Sequence, residues 1–205
     1  IVGPFSAGDS YRKQFNKNLI LTNTSFYSEF ELISKNMSKN SIKNVSIIYQ
    51  NDTYGKYFYD AFIKYNMSQN YLYSIVSSGS YERNSDNIDD CLKSVFNVKD
   101  PFDTDKITEE TVNKIDAVVI FAAEKEISRI LGYLKKVNPN LFIYYNFFVG
   151  TNSSNFEYIS SFNTNNVYQS DLTKTNISRY PELENSLTKQ LEKHNKDKSE
   201  EEIAV

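Results

Sequence analysis

The residues able to do chemistry are few in this chain of 205, which holds one histidine, His194, and one cysteine, Cys91. A lone His near the far end removes most imidazole catalysis and His-rich metal sites. A lone Cys excludes a disulfide framework and a multi-Cys zinc site. Cys91 shares a helical apolar stripe with Ile88, Leu92 and Val95, the setting of a buried, inert thiol rather than a nucleophile. No Gly-x-Gly-x-x-Gly turn or Gly-x-Ser-x-Gly elbow occurs, and Gly55-Lys56 lacks the upstream glycine of a Walker loop. Too little chain follows His194 to build an α/β-hydrolase around it. Asp52 and Glu124 are a carboxylate pair that could serve as acid and base. Helix capping and a favourable carboxylate at a helix N-terminus explain the pair more simply. A non-enzyme without cofactor or metal is expected. The rival is an enzyme on a flavodoxin-like sheet, marked by Asp52, Tyr54 and Glu124.

Composition narrows the class further. With 23 Lys+Arg against 26 Asp+Glu, the net charge is −3; 40% of residues are hydrophobic and 24% charged. That is a globular balance, and it argues against a disordered chain, a nucleic-acid binder or a basic membrane-surface protein. The longest apolar runs, 117–123 and 141–145, fall far short of the roughly 20 residues of a membrane span. The chain starts at Ile1 without a charged region leading into an apolar stretch. It is expected to be a piece of a longer protein, meeting a membrane only through segments outside it. Seven Asn-x-Ser/Thr sequons, at Asn23, Asn36, Asn44, Asn51, Asn66, Asn152 and Asn176, suggest a glycosylated ectodomain. A chain this rich in Asn, Ser and Thr also produces several by chance.

The elements that must position these residues follow from periodicity. Apolar runs at 45–49, 71–76, 117–121 and 141–145 have the length and continuity of strands buried on both faces. Between them, Phe58, Ala61, Phe62 and Tyr65 fall at i, i+3, i+4, i+7. So do Ile88, Cys91, Leu92 and Val95, and likewise Ile127, Ile130, Leu131 and Leu134. Each set is one stripe on a helix. Phe30, Ile33 and Met37 precede the first strand; Leu183, Leu187 and Leu191, after Pro181, close the chain. This order, a helix, three strand–helix units and a fourth strand, predicts an α/β fold, a parallel sheet flanked by helices. Segment 98–114, with Asp100, Pro101, Asp103, Asp105, Glu109 and Glu110, is a solvated insertion; the spacing and central Gly of an EF-hand calcium loop are absent. Ligands of open α/β sheets bind outside the carboxyl ends of the strands. Those ends lead into the polar turn 50–55, the segment 77–81, Ala122-Ala123-Glu124 and the segment 146–150, whose hydroxyls, aromatics and helix-start amides suit a small polar ligand.

Several segments together resemble a known family. Ile1-Val2-Gly3-Pro4-Phe5-Ser6-Ala7-Gly8, followed by Arg12, resembles the lobe-one loop of leucine-binding-protein-like receptors, the periplasmic-binding-protein type 1 fold. Ile47-Ile48-Tyr49-Gln50-Asn51-Asp52-Thr53-Tyr54-Gly55 resembles its second-lobe strand and turn. Gly79-Ser80-Tyr81-Glu82-Arg83-Asn84 is similar to its Gly-Thr-Tyr-Glu-Arg-Asn segment, and Asp116-Ala117-Val118-Val119 and Phe148-Val149-Gly150 continue in order. The resemblance spans residues 1 to about 170.

It implies two α/β lobes that close on a ligand, with the second lobe nearly complete here and the first only partial. Residues 1–25 would be a remnant of lobe one and the first hinge crossing, 26–165 lobe two, and 166–205 the second crossing and a helix returning to lobe one. By the same resemblance Phe5, Ser6 and Ala7 lie near the ligand from lobe one, and Tyr54, Ala123 and Glu124 from lobe two. Packing under its own turn is the simpler alternative for Tyr54. Phe147 stands where leucine-type binders have an acid for the ligand's ammonium group; an aromatic offers only a cation–π face, with Glu124 as a substitute charge. The expected function is recognition of a small polar molecule, signalled by lobe closure, as the extracellular sensor of a membrane receptor. The alternative is the solute-binding component of an ABC-type importer for amino-acid- or amide-like substrates, in the periplasm. A homodimer through the lobes is the partner expected beyond the ligand, and a domain that has lost its ligand and kept only that dimer is a third reading.

Overall fold

The computed structural model describes residues 12–13, 17–19, 25–85, 87–101, 114–122, 127–146 and 165–170. The elements run α1 (Phe26–Lys39), β1 (Asn44–Gln50), α2 (Thr53–Ser68), β2 (Ser74–Tyr81), α3 (Asp89–Phe96), β3 (Ala117–Phe121), α4 (Ile127–Val137), β4 (Phe142–Tyr145) and β5 (Val167–Gln169). The strands form one sheet in the order β2-β1-β3-β4-β5, and all four pairings are parallel. The α/β expectation holds, with β5 as an added strand. The expected closing helix, the start of the chain and most of segment 98–114 lie outside the described residues.

Strand alternation supplies two separate cores. Ile48, Val118, Ile120, Ile143 and Tyr145 point to one face, where α3 contributes Cys91, Leu92 and Val95 and α4 contributes Ile130, Leu131 and Leu134. Val45, Ile47, Val119, Phe121 and Tyr144 point to the other, where they meet Phe30, Ile33 and Met37 of α1 and Phe58, Phe62 and Tyr65 of α2. The second core is largely aromatic. Phe58 stacks on Phe121 at 5.5 Å and Phe30 meets Phe62 edge-on at 5.4 Å, geometry worth about 0.5–1.5 kcal/mol per pair beyond area burial.

The amino ends of the strands are tied down by structural polar groups. Asp116 accepts the backbone N–H groups of Lys43 at 2.9 Å and Asn44 at 2.7 Å, joining the starts of β1 and β3. The buried Lys135 donates to the carbonyls of Pro139 and Leu141, both at 3.0 Å, and Asn165 at 2.6 Å. Its ammonium thereby links the end of α4 to the entries of β4 and β5, and burial lowers its pKa.

The second strand departs from the run expected at 71–76. Asn70 and Tyr71 both sit at φ 57, in the left-handed region, and Tyr71 and Leu72 are 67% and 47% exposed. The apolar signal there belongs to a turn, and the Ser-rich segment after it forms β2. An edge strand does not need the continuous apolar run of a central one, so its composition hid it. A bulge between Val45 and Ser46 of the neighbouring strand leaves Val76 as the extra residue of β2, a feature that blunts an exposed edge.

Four sequon asparagines are described, and three of them serve the fold directly. Asn36 accepts from the Tyr144 hydroxyl at 2.9 Å, and Asn51 donates to the Glu82 carboxylate. Asn66, only 3% exposed, donates to the Tyr73 carbonyl at 2.9 Å and accepts the Tyr73 N–H at 3.1 Å. Its amide nitrogen is walled in, so the glycan expected at Asn66 has no room on the folded domain. Asn66→Ala is expected to destabilise the protein by on the order of 3 kcal/mol, since two buried partners lose their bonds. Urea unfolding checks this. Peptide mass spectrometry of secreted material should find Asn66 unmodified.

Candidate functional site

The sheet order places β2 on one side of β1 and β3, β4 and β5 on the other. Successive crossovers therefore leave β1 in opposite directions, and the crevice between the carboxyl ends of β1 and β3 is the switch point where open α/β sheets bind ligands. Flavodoxin-like sheets share this strand order, so order alone does not separate a binder from an enzyme.

Gly55 makes this edge compact. A Cβ there would stand 2.0 Å from the Gln50 carbonyl oxygen, so only glycine lets the first turn of α2 sit on the end of β1. Asp52 caps that turn, accepting the Gly55 N–H at 2.9 Å and a bond from the Gln50 side-chain amide. Capping is thus its observed role, and its proposed acid–base partner Glu124 lies outside the described residues.

The seated turn carries Tyr54 across the sheet edge. Its ring packs on Phe58 at 4.8 Å, and its hydroxyl oxygen accepts a hydrogen bond from Asn146 Nδ2 at the end of β4. The buried Asn146 also accepts the Ala122 N–H, at 3.4 Å, just past β3. One side chain from α2 is therefore joined to the ends of two strands. Packing under its own turn, the simpler alternative, holds for the ring. The hydroxyl does something further.

Glu29 is the residue that sequence reasoning missed. It is fully buried in the first turn of α1, where the Ser28 N–H bonds the Ser25 cap. Its carboxylate accepts from the Ser170 hydroxyl, just past β5. A signal was present: Glu29 lies three residues after Phe26 and four before Ile33, inside the apolar stripe. Burial, reinforced by the Glu29 charge, holds the Tyr54 phenol far above its ordinary pKa, so it stays a neutral hydroxyl.

Of the other sequence-derived site residues, Phe5, Ser6, Ala7, Ala123, Glu124 and Phe147 lie outside the described residues. Cys91 is buried against Gly79, and burial pushes its thiol up to about 12, which suits an inert packing role. No group of three metal-ligating side chains occurs among the described residues, and none of their helices is long and apolar enough to cross a membrane. A shallow hollow of about 510 Å³ on the outer side of α1 and α2, near Leu32, Lys35, Gln69 and Leu72, lies away from this edge and its chemistry.

Two outcomes follow. Gly55→Ala is expected to cost about 1–3 kcal/mol by overpacking, read by denaturant unfolding. Tyr54, Tyr144 and Tyr145 are held above the ordinary phenol value by burial, and Tyr133 is pushed up to about 12. An unfolded phenol ionises near about 10, so above that pH the unfolded chain sheds protons the native state keeps, and stability falls. Melting temperature is expected to drop from pH 9 upward, with phenolate absorbance rising together with unfolding. Ionisation well before unfolding would contradict it.

No protein-family model matches the chain, and no curated protein matches it. Solved structures do. An extracellular ligand-binding receptor from Rhodopseudomonas palustris aligns with a TM-score of 0.54 at 16% identity, over 76% of this chain and 39% of that one. A substrate-binding periplasmic protein from Ralstonia solanacearum aligns at 0.54 and 13%, over 72% and 36%. A possible leucine/isoleucine/valine-binding protein from Rhodopirellula baltica aligns at 0.52 and 19%, over 73% and 37%. The chain thus spans less than two fifths of the length of these three proteins. With its five parallel strands between two pairs of helices, the chain has the α/β fold of the leucine-binding-protein-like, periplasmic-binding-protein type 1 proteins.

Proposed function

We propose that the chain is part of a ligand-binding domain that recognises a small polar molecule between two lobes and signals by closure. The observation that carries this reading is the polar carboxyl edge of the sheet: Tyr54 of α2 bonds Asn146 just past β4, and Glu29 of α1 bonds Ser170 just past β5. A carboxyl edge built of hydroxyls, an amide and a carboxylate offers directed hydrogen bonds to a small polar group. The amino edge, by contrast, is given over to structural ties.

In this reading residues 26–165 form lobe two, 1–25 and 166–205 hold the crossings and the parts of lobe one, and β5 begins the return crossing. Phe5, Ser6 and Ala7 approach from lobe one. Ala123, Glu124 and Phe147 follow the ends of β3 and β4 in the chain and join Tyr54. A ligand touching both lobes stabilises the closed state by its differential affinity, and that population shift is the output. The protein works without catalysis, outside the cytoplasm, as the extracellular sensor of a membrane receptor. The named relatives supply the second reading, a periplasmic substrate-binding component of an importer. A membrane span downstream in the full-length protein separates the two.

The test is a thermal-shift screen of the full-length ectodomain against amino acids, amides, polyamines, nucleosides and small carboxylates. A binder at a hundredfold excess over its Kd is expected to add about 2.7 kcal/mol, a rise of several degrees. Tyr54→Ala, compared at equal folded fraction because it also loses packing on Phe58, is expected to weaken the hit by about tenfold or more. A folded protein silent to the whole panel counts against ligand binding, and undiminished affinity in the variant removes Tyr54 from the site.

A further inference from the structure

The sequons differ in what the fold leaves of their amides, and Asn36 of Asn36-Met37-Ser38 stands apart. Its orientation is set by bonds that start at a backbone carbonyl. The Asn36 carbonyl only accepts, so the Asn40 atom meeting it at 2.9 Å is Nδ2. The same Nδ2 donates to the Asn36 side chain at 3.0 Å, which makes the atom there Oδ1. The Tyr144 hydroxyl donates to Oδ1 as well, at 2.9 Å. Both bonds fall on the oxygen, and the Nδ2 of this half-buried residue is left without a protein partner. The other described sequons use the amide differently. Asn66 Nδ2 is buried on the Tyr73 carbonyl, and Asn51 Nδ2 is engaged by the Glu82 carboxylate. Asn44 opens the central strand β1, with Ser74 of β2 on one side and Asp116 on the other.

We propose that Asn36 carries an N-linked glycan whose first sugar lies over Leu32, a modification that rests on the extracellular placement in the reading above. Transfer forms the bond from Nδ2 to the anomeric carbon of a lipid-pyrophosphate-linked oligosaccharide. The bond from that carbon to the pyrophosphate oxygen breaks and the lipid pyrophosphate leaves. One Nδ2 proton passes to a base of the transferase, and nothing is oxidised or reduced. The product keeps Oδ1, so the bonds from Asn40 and Tyr144 survive and hold the linkage against α1. Asn36 borders the hollow of about 510 Å³ beside α2 and a second of about 200 Å³ beside Tyr144 and Tyr168. Leu32, one turn earlier, borders both and is 37% exposed. Leu72 borders the larger hollow and is 47% exposed. The carbon–hydrogen face of a pyranose covers such aliphatic groups while its hydroxyls face water. Asn36 lies in the last turns of α1, toward the amino edge of the sheet, so the sugar does not contest a ligand at the carboxyl edge.

The test is glycopeptide mass spectrometry of the full-length protein purified from its native cells, with peptide N-glycosidase release in heavy-oxygen water to mark the site. The Asn36 peptide is expected to carry N-acetylhexosamine and to become a heavy-oxygen aspartate on release. An unmodified Asn36 overturns the inference. A ligand response in that same protein leaves the binding reading standing, so the two failures are distinguishable. Ser38→Ala, expressed in the same cells, is expected to lose this glycan with Asn36 in place, and Ser38→Thr to keep it. A glycan retained in Ser38→Ala also overturns the assignment. The seat over Leu32 is read from melting temperature: Ser38→Thr is expected to melt about 2 °C above Ser38→Ala, whose Leu32 is bare. Adding Leu32→Ser to both is expected to cancel the gap, and the same pair made in bacteria, without the sugar, to melt together. A gap that survives Leu32→Ser, a gap of equal size in the bacterial pair, or no gap at all overturns the seat.

Discussion

A parallel sheet has no solvent-tolerant face, and that constraint organises this molecule. Because neighbouring strands run the same way, each connection must cross over, and the crossing helices cover both sides. The burden falls on β1, β3 and β4, whose residues alternate between two separately packed cores. Ala117 to Phe121 is buried at every position, and such a strand has no polar side chain to offer a ligand. Chemistry is therefore displaced to the strand ends, where chain direction sorts it into two edges.

The two edges are unlike. At the amino edge, Asp116 and Lys135 satisfy backbone groups, and each ties together separate segments of the chain. At the carboxyl edge, bonds run between side chains, from Asn146 to Tyr54 and from Ser170 to Glu29. Asn146 also accepts the Ala122 N–H, so this edge combines side-chain pairs with a tie to the backbone past β3. Gly55 matters to this arrangement because its missing Cβ lets the first turn of α2 sit against Gln50 at the end of β1.

Legibility in the sequence tracked burial on both faces. Runs 45–49, 117–121 and 141–145 appear as β1, β3 and β4 within a residue at each end, because central strands need continuous apolar side chains. The stripes Phe30-Ile33-Met37, Ile88-Cys91-Leu92-Val95 and Ile127-Ile130-Leu131-Leu134 are buried throughout. Edge strands escaped the same logic. The polar β2 was read too early, on a turn whose Tyr71 and Leu72 are exposed, and the three-residue β5 left no pattern to find.

For the candidate site, the sequence by itself determined the switch-point turn, with Thr53 or Asp52 able to cap it, and the presence of Tyr54, because capping and helix-start chemistry are local; the structure assigns the cap to Asp52. The tertiary structure alone decided where the Tyr54 hydroxyl goes, since Asn146 stands 92 positions away in the chain. It also decided that Glu29 turns inward to meet Ser170 across 141 positions, and that the Asn66 side chain bonds the Tyr73 backbone. The physical reason is the same in each case: a polar side chain's partner is set by which elements the sheet brings together, and strand order is not written in any local pattern.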